Sequence, residues 1–186
     1  EWGVPRDLDL AGVCSLIARQ PLLFQPGREW NYSLSIDVLG RVVEVLSGRR
    51  LGDFLRERIF EPLGMKDTAF WCPPDKVDRL SALYSKLPGK KEAVRADGAD
   101  RGTTVEPKAD LGGGGLVSTT SDYVRFAEML RRGGEFDGRR ILSPRTVAYM
   151  ASNHLPGNAD LTEYGRPLFA ETTFDGVGFG LGVSVT

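Results

Sequence analysis

Histidine and cysteine are almost missing from this chain: His154 is the only histidine, and Cys14 and Cys72 are the only cysteines. The two cysteines are far apart and form no C-x-x-C, so neither a disulfide framework nor a zinc knuckle is expected, and both are read as packing residues. A metal centre at His154 lacks companions. A Ser-His-Asp triad would have to use that one ring, although no G-x-S-x-G elbow exists. His154, in Asn153-His154-Leu155-Pro156, is read as a surface loop residue. An excess of one charge is absent too: 24 basic residues against 25 acidic ones leave a formal net charge of −1, with no electrostatic footprint for nucleic acid or an anionic membrane. No apolar run approaches the roughly 20 residues that span a bilayer, and no basic segment leads into an apolar one at the start.

What is present suits a folded domain with its own core, since 41% of 186 residues are apolar. From Asp9, a candidate N-cap, Leu10, Val13, Cys14 and Ile17 recur at helical spacing until Gln20-Pro21. Pro26-Gly27 makes a turn. A second helix places Ile36, Leu39, Val43 and Leu46 on one face and stops at Ser47-Gly48. A third stretch, with Leu51, Phe54, Leu55 and Ile59 on one side, runs into Glu61-Pro62-Leu63-Gly64-Met65, where proline and glycine are expected to close it. Between Tyr84 and Asp110 apolar density falls, which predicts long loops with one or two short strands.

After Gly112 to Gly115 comes a helix with Ser121 as N-cap, Gly133 as stop and Tyr123, Phe126, Ala127 and Leu130 as its buried stripe. Ser143-Pro144 starts another, with Val147 and Met150 inward. Val177 to Val185 alternates small and apolar residues as one strand does, and a lone strand needs a partner from elsewhere. Four glycines in a row could suggest a phosphate cradle, but the lysine and spacing of G-x-x-x-x-G-K-[ST] are missing. Asp7-x-Asp9, Arg49-Arg50 and Arg131-Arg132 are read as helix caps and solvated faces.

Four blocks stand out. They are Phe24-x-Pro26-Gly27-x-x-Trp30-x-Tyr32-Ser33 with Val38-Leu39-Gly40 and Ser47-Gly48, then Ile59-Phe60-Glu61-Pro62-Leu63-Gly64-Met65-x-Asp67-Thr68, then Gly113-Gly114-Gly115-Leu116-x-Ser118-Thr119-x-x-Asp122-Tyr123. In this order they closely resemble the serine β-lactamase family in its class C-like branch, which includes esterases and relatives of penicillin-binding proteins. The resemblance implies an α/β (α+β) β-lactamase/transpeptidase-like fold, of which this chain is mostly the helical domain plus a returning strand of the sheet. On that basis residues 1–83 are the helical part with the tyrosine motif and 84–110 are loop-rich. Residues 111–175 hold the glycine-rich turn and helices, and 176–186 start a C-terminal sheet.

The family uses a nucleophilic serine in S-x-x-K, a Y-x-N-type motif, and a K-T-G, H-x-G or W-x-G triplet. No serine here is followed by lysine three residues later, and no lysine by Thr-Gly. Both ends read as cut, so the nucleophile block is expected before Glu1 and the triplet after Thr186. The resemblance makes Tyr32 the tyrosine of the second block, a catalytic proton relay beside a lysine cation. A phenol of ordinary pKa about 10 needs such a cation to accept a proton near neutral pH. Trp30 is read as a wall of the substrate cleft, and Gly114 and Gly115 as close to it. Leu34 stands where the family's β-lactamases and peptidases usually carry asparagine. It can offer apolar contact but no hydrogen bond to a substrate amide, which moves ester cleavage ahead of β-lactam hydrolysis.

The expected function is that of the central part of a carboxylesterase-type serine hydrolase acting through an acyl-serine, with a small ester or β-lactam-like substrate, no cofactor and no metal. The fragment alone is expected to be inactive and to expose apolar surface. A β-lactamase, a D-amino-acid peptidase, an acyltransferase, a noncatalytic binding module and a helical interaction domain remain open. A location in the cytoplasm or periplasm of a bacterium is likewise left open.

Overall fold

Asp9 starts the first helix, α1 (Leu10–Ile17), by turning its carboxylate back to the Gly12 N–H at 2.8 Å. Such a cap contributes about 1 kcal/mol. The structure is a computed structural model and describes residues 5–86, 88–89, 91–95, 102–165 and 174–186. Helix α1 packs on α2 (Ser35–Ser47), which ends at Gly48 with φ +69, its N–H returning to the Glu44 carbonyl. That left-handed stop is the one the Ser-Gly pair predicts.

The stripe of α2 lies differently from expectation. Asp37 and Gly40 are its buried positions, while Ile36, Leu39 and Leu46 are exposed, Leu46 to 83%. The glycine at 40 is what lets neighbours close on that side: a Cβ there would stand 2.9 Å from the Leu51 side chain and 3.5 Å from the Gly112 backbone. Among the described residues the apolar face is left uncovered, as the expected exposed surface requires.

Helix α3 (Leu51–Leu55) widens into a π-helical turn (Arg56–Phe60) and continues as α4 (Glu61–Leu63). Proline therefore does not close this stretch. The Glu61 N–H reaches back five residues to the Arg56 carbonyl, and the wider turn carries the chain past Pro62, which has no N–H to give. Gly64, at φ +68, is the stop. Phe60, Leu63, Met65 and Met129 form the buried centre, with Leu55, Ile59, Phe126, Leu130, Phe136 and Ile141 packed around them.

A 3-10 turn (Pro74–Arg79) leads to the antiparallel pair β1 (Tyr84–Lys86) and β2 (Ala93–Arg95), with Tyr84 opposite Arg95. Helix α5 (Thr120–Arg131) follows. Its cap is Thr119, whose hydroxyl accepts the Asp122 N–H, not Ser121. Thr119 has the extended backbone a cap needs, while Ser121 is already inside the helix. The stripe is correspondingly rotated: Asp122 and Met129 are buried, Phe126 and Leu130 half-buried, and Tyr123 and Ala127 exposed.

Strands β3 (Glu135–Phe136) and β4 (Arg139–Arg140) make a hairpin around Asp137 at φ 49 and Gly138 at φ 71. Positive φ at both centres is what an Asp-Gly loop supplies. Ser143 caps α6 (Pro144–Met150) through the Thr146 N–H, with Val147 and Met150 half-buried as expected. Asp160 caps α7 (Leu161–Tyr164) by accepting from Thr162 and Glu163 N–H. The final segment is a hairpin, β5 (Gly178–Phe179) with β6 (Ser184–Val185), and not a single strand. Gly182, at φ +85, turns the chain so that it pairs with itself.

Candidate active site

The segment that carries Trp30, Tyr32 and Leu34 is fixed from behind by α7 and β5. The Trp30 N–H donates to the Tyr164 carbonyl at 2.9 Å, the Tyr164 hydroxyl donates to the Gly27 carbonyl, and Trp30 bridges to Gly165 in parallel register. The indole of Trp30 lies against the Phe179 ring, centroids 5.0 Å apart at 57°. That tilted arrangement is the one aromatic quadrupoles favour. Trp30 is thus half-buried, with its ring held by the last hairpin.

Tyr32 is 63% exposed and comes just before α2. Leu34 is the N-cap, with no side-chain cap hydrogen bond. Its carbonyl accepts the Asp37 and Val38 N–H groups at 3.1 and 3.2 Å, and its side chain is 36% exposed. An apolar cap gives no acceptor to the first-turn donors. Leu34 and Tyr32 are therefore both exposed at the start of α2.

The glycine-rich turn reaches this helix start from the other side. The Gly113 N–H donates to Asp37 Oδ1 at 3.1 Å, and a Cβ on Gly112 would fall 2.2 Å from the Ile36 carbonyl oxygen. Only glycine permits that backbone approach. Gly115 has φ +98 and faces Phe70, whereas a Cβ on Gly114 would meet open space. The structure therefore ties Gly112 and Gly113 to α2, and Gly114 and Gly115 follow from that anchorage.

Asp37 escaped the sequence reading. Its signal was an acid isolated in the apolar run Ile36-Asp37-Val38-Leu39. Two other buried carboxylates, Asp110 and Asp122, work in the same way. Asp110 accepts from the Gly52 N–H at 3.0 Å and from Arg50 at 2.9 Å, and burial pushes its pKa up from the ordinary value despite these partners. Arg50, the exposed N-cap residue of α3, also binds the Pro107 carbonyl and Glu106, so this solvated residue bridges two segments as well. Arg131 does lie on a solvated face, held with Arg132 by Glu128.

A cavity of about 140 Å³ lies apart from Tyr32, lined by residues such as Arg50, Gly52, Thr68, Phe70, Trp71 and Asp110. It is open and crossed by the Arg50 pairs, and no motif residue of the tyrosine block lines it. His154 is engaged in its loop, with Nε2 at 2.7 Å from the Tyr149 carbonyl and its ring edge-on to Tyr149. Among the described residues no group of three or more His, Cys, Asp or Glu side chains could hold a metal, and no helix is long and apolar enough to cross a membrane.

The glycine-rich turn thus packs on the first turn of the helix that follows Tyr32. The Beta-lactamase family model matches residues 2–186. This chain belongs to that family. It is 35% identical over 185 residues to Protein Rv1367c of Mycobacterium tuberculosis, covering 99% of this chain and 43% of that protein. It is 32% identical over 191 residues to esterase EstB of Burkholderia gladioli, covering 94% of this chain and 44% of the esterase. Among solved structures, EstCE1, described as a hydrolase with promiscuous acyltransferase activity, superposes with a TM-score of 0.69. The match has 30% identity and covers 96% of this chain and 46% of EstCE1.

The beta-lactamase-family chain thus spans less than half the length of the curated relatives it matches. The family and the mixed helix-and-strand β-lactamase/transpeptidase fold read from the motif blocks are shown by these matches.

Proposed function

We propose that the protein containing this chain is a serine hydrolase that transfers acyl groups from carboxylic esters, and that Tyr32 is its proton relay. This chain contains no S-x-x-K, so the proposal requires the full-length protein to supply the nucleophilic serine and its lysine from other sequence. In the reaction, the serine Oγ attacks the ester carbonyl as its proton passes to the Tyr32 oxygen. The alkoxy group then leaves and takes that proton, producing an alcohol and an acyl-serine. Water adds to the acyl-serine through the same relay and releases the carboxylic acid. The negative charge on the tetrahedral oxygen needs backbone N–H donors, which the proposal requires the full-length protein to supply.

The observation that carries the ester reading is Leu34 at the helix start beside Tyr32, exposed and apolar where a β-lactam or peptide amide would need a hydrogen-bonding partner. Similarity to an esterase and to a hydrolase with acyltransferase activity supports the same chemistry. Trp30, Gly114 and Gly115 are the further substrate-facing residues of the proposal. The test is to assay the full-length protein on p-nitrophenyl esters and on nitrocefin. Turnover of esters well above nitrocefin agrees with the proposal; the reverse order makes it a β-lactamase, and an absence of both makes it a binding protein.

A further inference from the structure

We infer that Asp37 is a positioning residue for this site: its buried carboxylate holds the Gly112–Gly115 turn against the first turn of α2, the helix that Tyr32 and Leu34 precede. The inference rests on the reading of Tyr32 as the proton relay.

Asp37 is 5% exposed in the first turn of a helix whose other first-turn positions face outward. Burying a carboxylate costs free energy unless it is hydrogen-bonded. Here the donor is the Gly113 N–H, a charge-assisted bond to the backbone of a segment 76 residues away. The nearest cation along the helix is not its partner, because Arg41 is engaged by Glu44 at 3.0 Å. Glu44 in turn accepts the Leu51 N–H at 3.1 Å, so each acid on this side of α2 holds a different loop.

The same residue also acts on the other half of the site. The Asp37 N–H donates to the Leu34 carbonyl at 3.1 Å, fixing the turn that presents Leu34 and, two residues earlier, Tyr32. One side chain and its own backbone therefore link the tyrosine segment to the glycine turn. The contact tolerates little change in length: Asp37 Oδ2 is already 3.0 Å from where a Gly113 Cβ would be, and Gly112 touches the Ile36 carbonyl. A longer side chain at 37 must push the turn away from α2.

Length and charge can be separated. Asp37→Asn keeps an oxygen at the same reach without the charge, Asp37→Glu keeps the charge one methylene further out, and Asp37→Ala removes the acceptor. In the full-length protein, corrected for folded fraction, kcat on a p-nitrophenyl ester should stay within about threefold in the asparagine variant. It should fall about tenfold or more in the glutamate and alanine variants, with KM within about threefold, because ångström-scale misplacement is expensive in rate. Amide exchange at Gly113 should be slow in the wild type and the asparagine variant and fast in the alanine variant.

Wild-type kcat in Asp37→Glu, or an asparagine variant as slow as the alanine one, overturns the inference. Tyr32→Phe, measured alongside, keeps the two readings apart. Turnover lost in Tyr32→Phe but normal in the Asp37 variants sinks the positioning role alone, while normal turnover in Tyr32→Phe sinks the relay and this inference with it.

Discussion

The carboxylate of Asp122, buried at the start of α5, accepts the Asp67 backbone N–H at 2.7 Å across 55 positions of sequence. It also accepts the Thr68 hydroxyl at 2.9 Å. With Asp37 on Gly113 and Asp110 on Gly52, three buried aspartates each hold a distant backbone N–H. The helices supply the apolar mass, and these acids set where the loops between them lie.

Removing one of them should be costly. Asp122→Ala leaves the half-buried Asp67 N–H without its acceptor and the Thr68 hydroxyl with Ser118 alone, and an unsatisfied buried donor costs about 1–3 kcal/mol. Urea denaturation of the full-length protein is expected to show a loss of about 2–3 kcal/mol. A loss below about 0.5 kcal/mol would mean that water replaces the carboxylate without penalty.

The glycine turn offers a paired comparison. Gly112→Ala places a Cβ against the Ile36 carbonyl oxygen, while Gly114→Ala meets open space. Overpacking against backbone costs about 1–3 kcal/mol, and a free surface position changes stability by about 0.5 kcal/mol or less. Thermal denaturation of the two variants should separate them clearly, with Gly112→Ala melting lower.

Two acids should respond to pH in opposite senses. Glu128 is half-buried, and hydrogen bonds from Arg131 and then Arg132 hold its pKa at about 2, below the ordinary 4.5. Its contribution is present above the unfolded value and lost as pH falls toward 2. Asp110, pushed up by burial, behaves the other way: its contribution is present below the ordinary 3.8 and lost as pH rises through its higher folded value. Melting temperatures from pH 2 to 6 should show a weakened acid dependence in Glu128→Gln that high salt masks in the wild type. Asp110→Asn should remove a fall in stability on raising pH above about 4.

Much of this was legible in the chain. Asp9, Gly48, Gly64 and Ser143 act where their chemistry said they would, because caps and left-handed stops depend on local backbone. The four motif blocks led to the family because short patterns survive where overall identity is near a third. What stayed hidden was set by distant contacts. The side of α2 that is buried is decided by Gly112 and Leu51 meeting Gly40, and nothing in the period of Ile36, Leu39, Val43 and Leu46 reveals that. The last segment alternated like one strand, and only Gly182 marked the turn that folds it into two. Asp137-Gly138 was a readable hairpin signal that was passed over. Of the proposed site, Tyr32 and Leu34 stand in a sequence motif, whereas Asp37 required knowing what packs on it.

Leu34 should govern selectivity. Asparagine at this position adds an amide that can hydrogen-bond a β-lactam side chain and removes apolar contact with an acyl group. In Leu34→Asn the ratio of kcat/KM for a p-nitrophenyl ester to that for nitrocefin should fall by about tenfold, the size of one such interaction. An unchanged ratio would remove Leu34 from the specificity account.

The central claim is that the Tyr32 oxygen moves the proton of the acylating serine. The most direct measurement is ester hydrolysis by the full-length protein with Tyr32 and with Tyr32→Phe, which deletes one oxygen from an exposed side chain. General acid–base groups contribute about 10²- to 10⁴-fold, so kcat should drop by at least about a hundredfold with an unchanged melting temperature. Equal turnover in the two proteins would contradict the account and return Tyr32 to the surface of the fold as an ordinary tyrosine.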